Sequence, residues 1–487
     1  MQNKQRINVS GYRGIWGETL TKEVVILYTR AFVTFLKTKT DKPIILIGRD
    51  GRESGGDIKE IILNELKNLG IEGINGDILP TPTVLFSVRK HGYTGAIIIT
   101  ASHNPIEYNG LKFVNDQALF TINEEVIEIN KYYEEEIEKF EREHKRFSFG
   151  SLFSSARIKS CWIFSLLAPS HYASLPKTTS SQSNLLTVPN FTKDHADQIL
   201  ANVNVEAIRA KKFKVAVDMI NASACVMDPY LFEKLGVEII PLNNIPNGKF
   251  GHKPEPLREN LTDISKLAKE VKSDLGFVHD PDADRLVIVN ENGEVISEEY
   301  SIALAVESIL SKNPGRNTVI NLSTSQMSAD IAKKYGSNCF RTKIGEGFVV
   351  GGILAHNAII GGEGNGGIIY PTINTARDSF AGLSIILELL TERNKTISEL
   401  VEELPKYFIK KDKWPVGGDL NQMYGKLKDH FKDATYDEQD GLRLDLPDSS
   451  WLHLRPSNTE PIIKLFGEAK TQERIDALFA EAKEILA

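Results

Sequence analysis

The chain has 487 residues, about three domains' worth at ~150 residues each. Hydrophobic residues make up 41% and charged residues 25%, which excludes global disorder and a fibrous chain. Lys+Arg number 58 against Asp+Glu 65, a net charge of −7, which argues against a broad nucleic-acid surface but leaves room for a local phosphate site.

In chain order, PIILIG at 43–48 predicts a buried strand, and 58–69 has helical apolar spacing and stops at Gly70. A strand at 71–74, a helix over 83–90 and the strand GAIIIT at 95–100 follow. This strand–helix alternation is the pattern of an α/β layer. It recurs. Strands at 213–218, 237–242 and 274–279 alternate with helices around 230–235 and 261–272. Strands at 318–322, 338–343 and 358–361 alternate with helices at 325–334 and 347–356. The three copies share architecture rather than residue identity.

Between the first two copies, no Asp or Glu occurs from His144 to Lys193, and 147–190 is rich in Ser without helical or strand period. This predicts an insertion or linker, with a local anomaly of the sequence as the alternative. Beyond residue 409 the pattern changes. Strands at 441–446, 451–454 and 462–468 and a helix at 472–486 predict a small antiparallel α+β domain. The expected units are therefore 1–146, the linker 147–193, 194–296, 297–408 and 409–487. The expected fold is three similar α/β units with mixed, largely parallel sheets plus a smaller C-terminal domain around a central cleft.

Cys161, Cys225 and Cys339 make no metal spacing or disulfide framework. The opening MQNKQRINVSGYRG lacks an apolar leader, and no apolar run approaches the ~20 residues of a membrane span. The expectation is a cytoplasmic enzyme that meets neither nucleic acid nor membrane.

Each copy's last strand runs into an unusual loop: TASHNP at 100–105, DPDADR at 280–285 and GEGNGG at 362–367. Ligands of open α/β sheets bind beyond the carboxyl ends of strands, so these loops are expected to converge on one cleft. Asp280, Asp282 and Asp284 offer hard oxygen ligands suited to Mg²⁺. An EF-hand is disfavoured, because position six of the loop is Arg285 rather than Gly and a strand precedes it. Ser102 alone reads as a turn or cap residue as readily as a nucleophile, since serine needs an activating base or cation. A fourth loop, RPSNTEP at 455–461, is rich in donors for a dianionic phosphate. Arg13, Arg49 and Arg52 add positive charge to the first unit.

In their order and spacing the four motifs resemble those of the α-D-phosphohexomutase superfamily, the phosphoglucomutases, phosphomannomutases and phosphoglucosamine mutases. The resemblance covers the chain apart from about 147–190. It implies that Ser102 carries a phosphoryl group and that Asp280, Asp282 and Asp284 hold Mg²⁺ together with it. His103, Lys112 and Arg13 would surround the phosphoserine, with Lys112 the better proton acceptor if burial among cations activates it. Arg285, Lys343, Glu363 and Asn365 would contact substrate. Arg455, Ser457, Asn458 and Thr459 would grip its non-reacting phosphate. Asn365 stands where many members have Ser, and Glu346 where some have His. The implied reaction interconverts hexose 6- and 1-phosphates through a hexose 1,6-bisphosphate. Glucosamine phosphate is the favoured substrate, glucose and mannose phosphates are the alternative, and the enzyme is expected to be a monomer or homodimer.

Overall fold

The computed structural model describes residues 6–8, 11–150, 190–415, 419–456 and 462–486. The first sheet contains β1 (Tyr12–Ile15), β2 (Ile44–Arg49), β3 (Glu72–Ile78), β4 (Gly95–Ile99) and β5 (Tyr108–Val114), in the order β1-β5-β4-β2-β3. The second contains β6 (Lys214–Asp218), β7 (Glu238–Leu242), β8 (Leu275–His279) and β9 (Leu286–Val289), in the order β7-β6-β8-β9. The third contains β10 (Thr318–Asn321), β11 (Cys339–Thr342), β12 (Ile360–Glu363) and β13 (Gly367–Ile369), in the order β11-β10-β12-β13. In all three, the first three strands of the copy pair in parallel and the last folds back antiparallel. The three copies expected from the sequence thus share one topology. β1 is an extra antiparallel strand on the edge of the first sheet.

The last sheet is wholly antiparallel: β14 (Phe408–Pro415), β15 (Thr435–Asp437), β16 (Leu442–Asp445), β17 (Trp451–Pro456) and β18 (Ile462–Ala469), in the order β14-β18-β17-β16-β15. The helix Gln472–Leu486 packs its Ile475, Leu478 and Phe479 face on this sheet's core.

Local chemistry sets the helices. In Lys22–Lys37, Thr21 accepts from the Val24 N–H, Glu23 lies in the first turn and Lys37 in the last, complementing the helix dipole. One face buries Val25, Tyr28, Phe32, Phe35 and Leu36 in the first unit's core, each worth about 1.5–3 kcal/mol of apolar burial. The second and third units share a continuous core, in which Leu231 and Phe232 meet the cluster of Leu304 and Ile386. Within it, His195 pairs with Asp378 at 2.8 Å, and Thr83 from the first unit reaches His195 Nδ1 at 3.0 Å. These ties bring the three units into one body.

Residues 147–150 and 191–193 of the expected linker fall within the helices Asn123–Gly150 and Phe191–Leu200. Asn190 caps the second of these, accepting from the Lys193 N–H. Residues 151–189 lie outside the described residues. Among the described residues no helix is long and apolar enough to cross a membrane.

One glycine is demanded by strand packing. A Cβ on Gly110 in β5 would stand 2.3 Å from the Tyr12 carbonyl oxygen and 2.6 Å from that of Thr100. Both atoms are backbone on flanking strands and cannot rotate away. Gly110→Ala is expected to destabilise the protein by about 1–3 kcal/mol, read as a lower urea midpoint.

Candidate active site

The three chemistry-bearing loops occupy the same place in the three copies. Each joins the buried third strand to its antiparallel partner: β4 to β5, β8 to β9, and β12 to β13. They converge as the sequence predicts, and a cavity of about 400 Å³ opens between them and the last unit.

Ser102 is buried and held at φ +50°, a left-handed conformation uncommon for a residue with a Cβ. The framework that imposes it is visible. The Ser102 N–H donates to Thr100 Oγ1, and the Thr100 hydroxyl donates to Asp50 at 2.7 Å. The fully buried Arg52 guanidinium donates to the carbonyls of Ser102, Asn104 and Pro105 at 2.6–2.8 Å and stacks over Phe250. Arg52 is therefore a brace for this loop. Ser102 Oγ lies 3.2 Å from Asp280 Oδ2 and 3.2 Å from His103 Nδ1. The hydroxyl has one proton and can donate to only one of them.

Asp280, Asp282 and Asp284 are buried, and their nearest oxygens lie within 4.8 Å of one another. Asp280 Oδ1 accepts the N–H groups of Asp284 and Arg285, which curls the loop back on itself, and Ala283 takes φ +55° in the bend. Asp282 Oδ2 accepts from Thr81 and from Lys112 Nζ at 2.7 Å. Burial, followed by Asp284 and Asp282, pushes the Asp280 carboxyl well above its ordinary range. Burial works the same way on Asp282, but Lys112 outweighs it and holds that carboxyl far below. Asp282 Oδ1 and Asp284 Oδ1 are buried without a hydrogen bond among the described residues. Buried carboxylate oxygens left without a hydrogen bond are costly, and a divalent cation could satisfy them. The donor set is all oxygen, which fits Mg²⁺.

Cations ring this centre. Lys112 sits 2.7 Å from Asp282 and 3.7 Å from Asp284, among carboxylates rather than the cations expected from sequence. Arg13 donates to Asn104 at 2.7 Å, and burial lowers its proton affinity. Arg285 donates to His103 Nδ1 at 2.9 Å, and its charge, aided by burial, keeps that imidazole neutral.

On the far wall, Glu363 accepts from Asn321 at 2.8 Å, the Gly345 N–H at 2.9 Å and Arg377 at 2.8 Å. Asn365 accepts from the Gly367 N–H, closing its own turn, and lines the cavity. From the last unit come Lys411, Arg455, Lys464 and Phe466. Arg455 is buried, with Asp440 at 3.3 Å. Ser457, Asn458 and Thr459 lie outside the described residues. Lys343 is exposed, with its ammonium 5.7 Å over the Phe348 ring, and is not among the residues lining the cavity.

Among the lining residues that escaped sequence reasoning are Arg377, Glu255, Glu299 and Lys411. None lies in a recognisable motif. Glu346, noted only as a departure from the family, also lines the cavity; its carboxyl is pushed up to about 7, chiefly by burial. Burial raises Glu299 to about 8.

Family profiles match almost the whole described architecture. Phosphoglucomutase/phosphomannomutase alpha/beta/alpha domains I, II and III match residues 4–140, 193–293 and 297–408, and the C-terminal domain of the same family matches 411–485. The chain belongs to the phosphoglucomutase/phosphomannomutase family. It lies within the α-D-phosphohexomutase superfamily of intramolecular phosphotransferases, as the motifs implied. A phosphoglucomutase/phosphomannomutase of Thermococcus kodakarensis is 33% identical over 470 residues, covering 95% of this chain and 94% of that one. A phosphoglucosamine/phosphogalactosamine mutase of Sulfurisphaera tokodaii is 30% identical over 483 residues, covering 98% of both. In fold, a putative phosphomannomutase from Thermus thermophilus superposes with a TM-score of 0.78 at 19% identity over the whole of both chains.

Proposed function

We propose that this mutase moves a phosphoryl group between the 6- and 1-positions of a hexose phosphate, carried on Ser102 and passing through a hexose 1,6-bisphosphate. The observation that carries the reading is the juxtaposition of Ser102 Oγ, 3.2 Å from Asp280, with an aspartate triad two of whose buried oxygens lack a hydrogen bond among the described residues. Asp280, Asp282 and Asp284, with the phosphorylated Ser102, would hold Mg²⁺. When bound, that ion supplies charge neutralisation to the transferring phosphoryl group.

The chain's own residues do the rest. A phosphoserine brings about −1.5 to −2 charges, and the cavity-lining cations Arg13, Lys112 and Arg285 would help to offset them. Neutral His103 adds no charge and holds the loop to Arg285. Glu363 and Asn365 would orient the sugar hydroxyls. Arg455, with Ser457, Asn458 and Thr459, would fix the phosphate that is not reacting, so that the opposite end of the sugar meets Ser102. After transfer the bisphosphate turns over in the cavity and returns its other phosphate to Ser102. We assign Lys343 no contact with substrate in this arrangement, and we place the enzyme in the cytoplasm.

Among sugars we place glucosamine phosphate first, because Glu255, Glu299 and Glu346 line the cavity with carboxyl oxygens that can accept from a C2 ammonium. The second reading is a neutral hexose. It is favoured by Arg377, which already neutralises Glu346 and Glu363, and by the 33% identity to the Thermococcus kodakarensis enzyme. The test is a mutase assay with Mg²⁺ and a bisphosphate activator, comparing glucosamine, glucose and mannose phosphates. A higher kcat/KM for glucosamine phosphate supports the first order, and a preference for glucose or mannose reverses it. Turnover of none of the three, or turnover that EDTA leaves unchanged, would sink the reading.

A further inference from the structure

Arg377 joins two parts of the cavity that the motifs leave separate. Its side chain is buried, and its three nitrogens go to three different carboxylates. Nη2 donates to Asp284 Oδ2, Nη1 to Glu363 at 2.8 Å and Nε to Glu346 at 3.1 Å. Its backbone N–H also donates to Glu346, at 2.9 Å. Asp284 belongs to the metal loop of the second unit, whereas Glu363 and Glu346 belong to the sugar side of the third.

The surroundings hold this guanidinium in place. The next residue, Asp378, caps the helix Ser379–Arg393 by accepting the N–H groups of Phe380 and Ala381, and is itself fixed by His195. A Cβ on Gly367 would lie 2.3 Å from Arg377 Cδ. The last glycine of the GEGNGG loop therefore gives the side chain its passage. Arg377 engages one oxygen of Asp284, and the other, Oδ1, is buried without a hydrogen bond, with Arg285 Nε at 3.8 Å.

We propose that Arg377 is a positioning residue that couples metal binding at the triad to sugar binding at the GEGNGG loop. The inference rests on the function proposed above. A cation that draws on Asp284 alters its bond to Arg377. The same rigid fork then alters how firmly Glu363 and Glu346 are held toward the sugar. Lysine has one ammonium and cannot span the three carboxylates.

The test is equilibrium binding by calorimetry to the unphosphorylated protein, in which no turnover occurs. Glucosamine 6-phosphate and glucose 6-phosphate are titrated with and without Mg²⁺, and Mg²⁺ alone is titrated separately. In the wild type, Mg²⁺ is expected to change sugar-phosphate affinity by a factor within the usual range of about 5–150. In Arg377→Met that factor falls toward one, and Mg²⁺ affinity drops by about 10–100-fold, as for other groups that orient metal ligands. Arg377→Lys regains part of the Mg²⁺ affinity through Asp284 but not the coupling factor, a split that a general loss of structure would not produce. Should Arg377→Met fail to fold, Gly367→Ala displaces the guanidinium while keeping its charge, and a reduced factor is expected there too. A wild-type factor retained in folded Arg377→Met or Arg377→Lys overturns the proposal. So does a wild type that binds both ligands with a factor of one. A wild type that binds neither Mg²⁺ nor sugar phosphate instead defeats the function proposed above.

Discussion

Ser102→Ala is expected to lower mutase turnover by about ten-thousandfold or more, the scale on which loss of a covalent nucleophile disables an enzyme. The wild-type protein should also carry the mass of one phosphoryl group on the peptide containing residue 102, and the variant should not. The substitution removes only Oγ. The loop's shape depends on the Ser102 N–H bonded to Thr100 and on the Ser102 carbonyl bonded to Arg52, both of which alanine keeps. Circular dichroism and the urea midpoint should therefore stay close to wild type, apart from the small cost of alanine at positive φ, which serine already bears. The hydroxyls of Thr100 and Thr81 are committed elsewhere: Thr100 spends its proton on Asp50, and Thr81 spends its own on Asp282. Wild-type-like turnover in Ser102→Ala would show that the phosphoryl group does not travel through this side chain.

Much of this site was legible because its chemistry is concentrated in contiguous loops. A loop such as DPDADR places three carboxylates on five residues, and the periodicity of its flanking strands says at which end of a sheet it lies. Repetition of one unit three times then brings the loops together. What could not be read is held by contacts between distant segments. Arg377 meets Asp284 across 93 positions, and its own neighbours, Thr375 to Ser379, carry no motif. Arg52 was visible only as a charge, because its burial depends on Phe250 and on carbonyls some fifty residues away. For Lys112 the charge was correct and the surroundings were not. β5 delivers it from the first unit to carboxylates of the second, a meeting set by how the units pack. Lys343 fits a family pattern, and its exposed side chain carries the ammonium 5.7 Å over Phe348, a ring that itself lines the cavity.

Asp280→Asn is expected to separate stability from activity. Turnover should fall by about a thousandfold, as for loss of a group that stabilises the transferring charge, and Mg²⁺ should no longer raise Tm. In the metal-free protein, however, the substitution should raise Tm by about 2 °C or more, corresponding to roughly 1 kcal/mol. The reason is electrostatic. Asp280 is buried beside Asp284 and Asp282, and burial first, then those two charges, drives its carboxyl well above the ordinary range. A group whose folded-state pKa is raised contributes stability below its unfolded value and loses it as pH rises through the folded one. Near neutrality, keeping this carboxyl buried, whether it ionises or holds its proton, therefore costs the metal-free protein stability. Asparagine keeps the Oδ1 that accepts from the Asp284 and Arg285 N–H groups, so the loop retains its curl while the cost of the buried acid is gone. The pH dependence of Tm should flatten accordingly. Asp282→Asn should behave in the opposite way: it leaves Lys112 facing a neutral amide 2.7 Å away, and loss of one partner of a buried pair costs about 3–5 kcal/mol. Calorimetric scans of the two variants with EDTA, and again with excess Mg²⁺, decide the matter. A lower Tm for metal-free Asp280→Asn than for wild type would mean that the three carboxylates do not repel one another, and would remove the electrostatic reason for assigning them a cation.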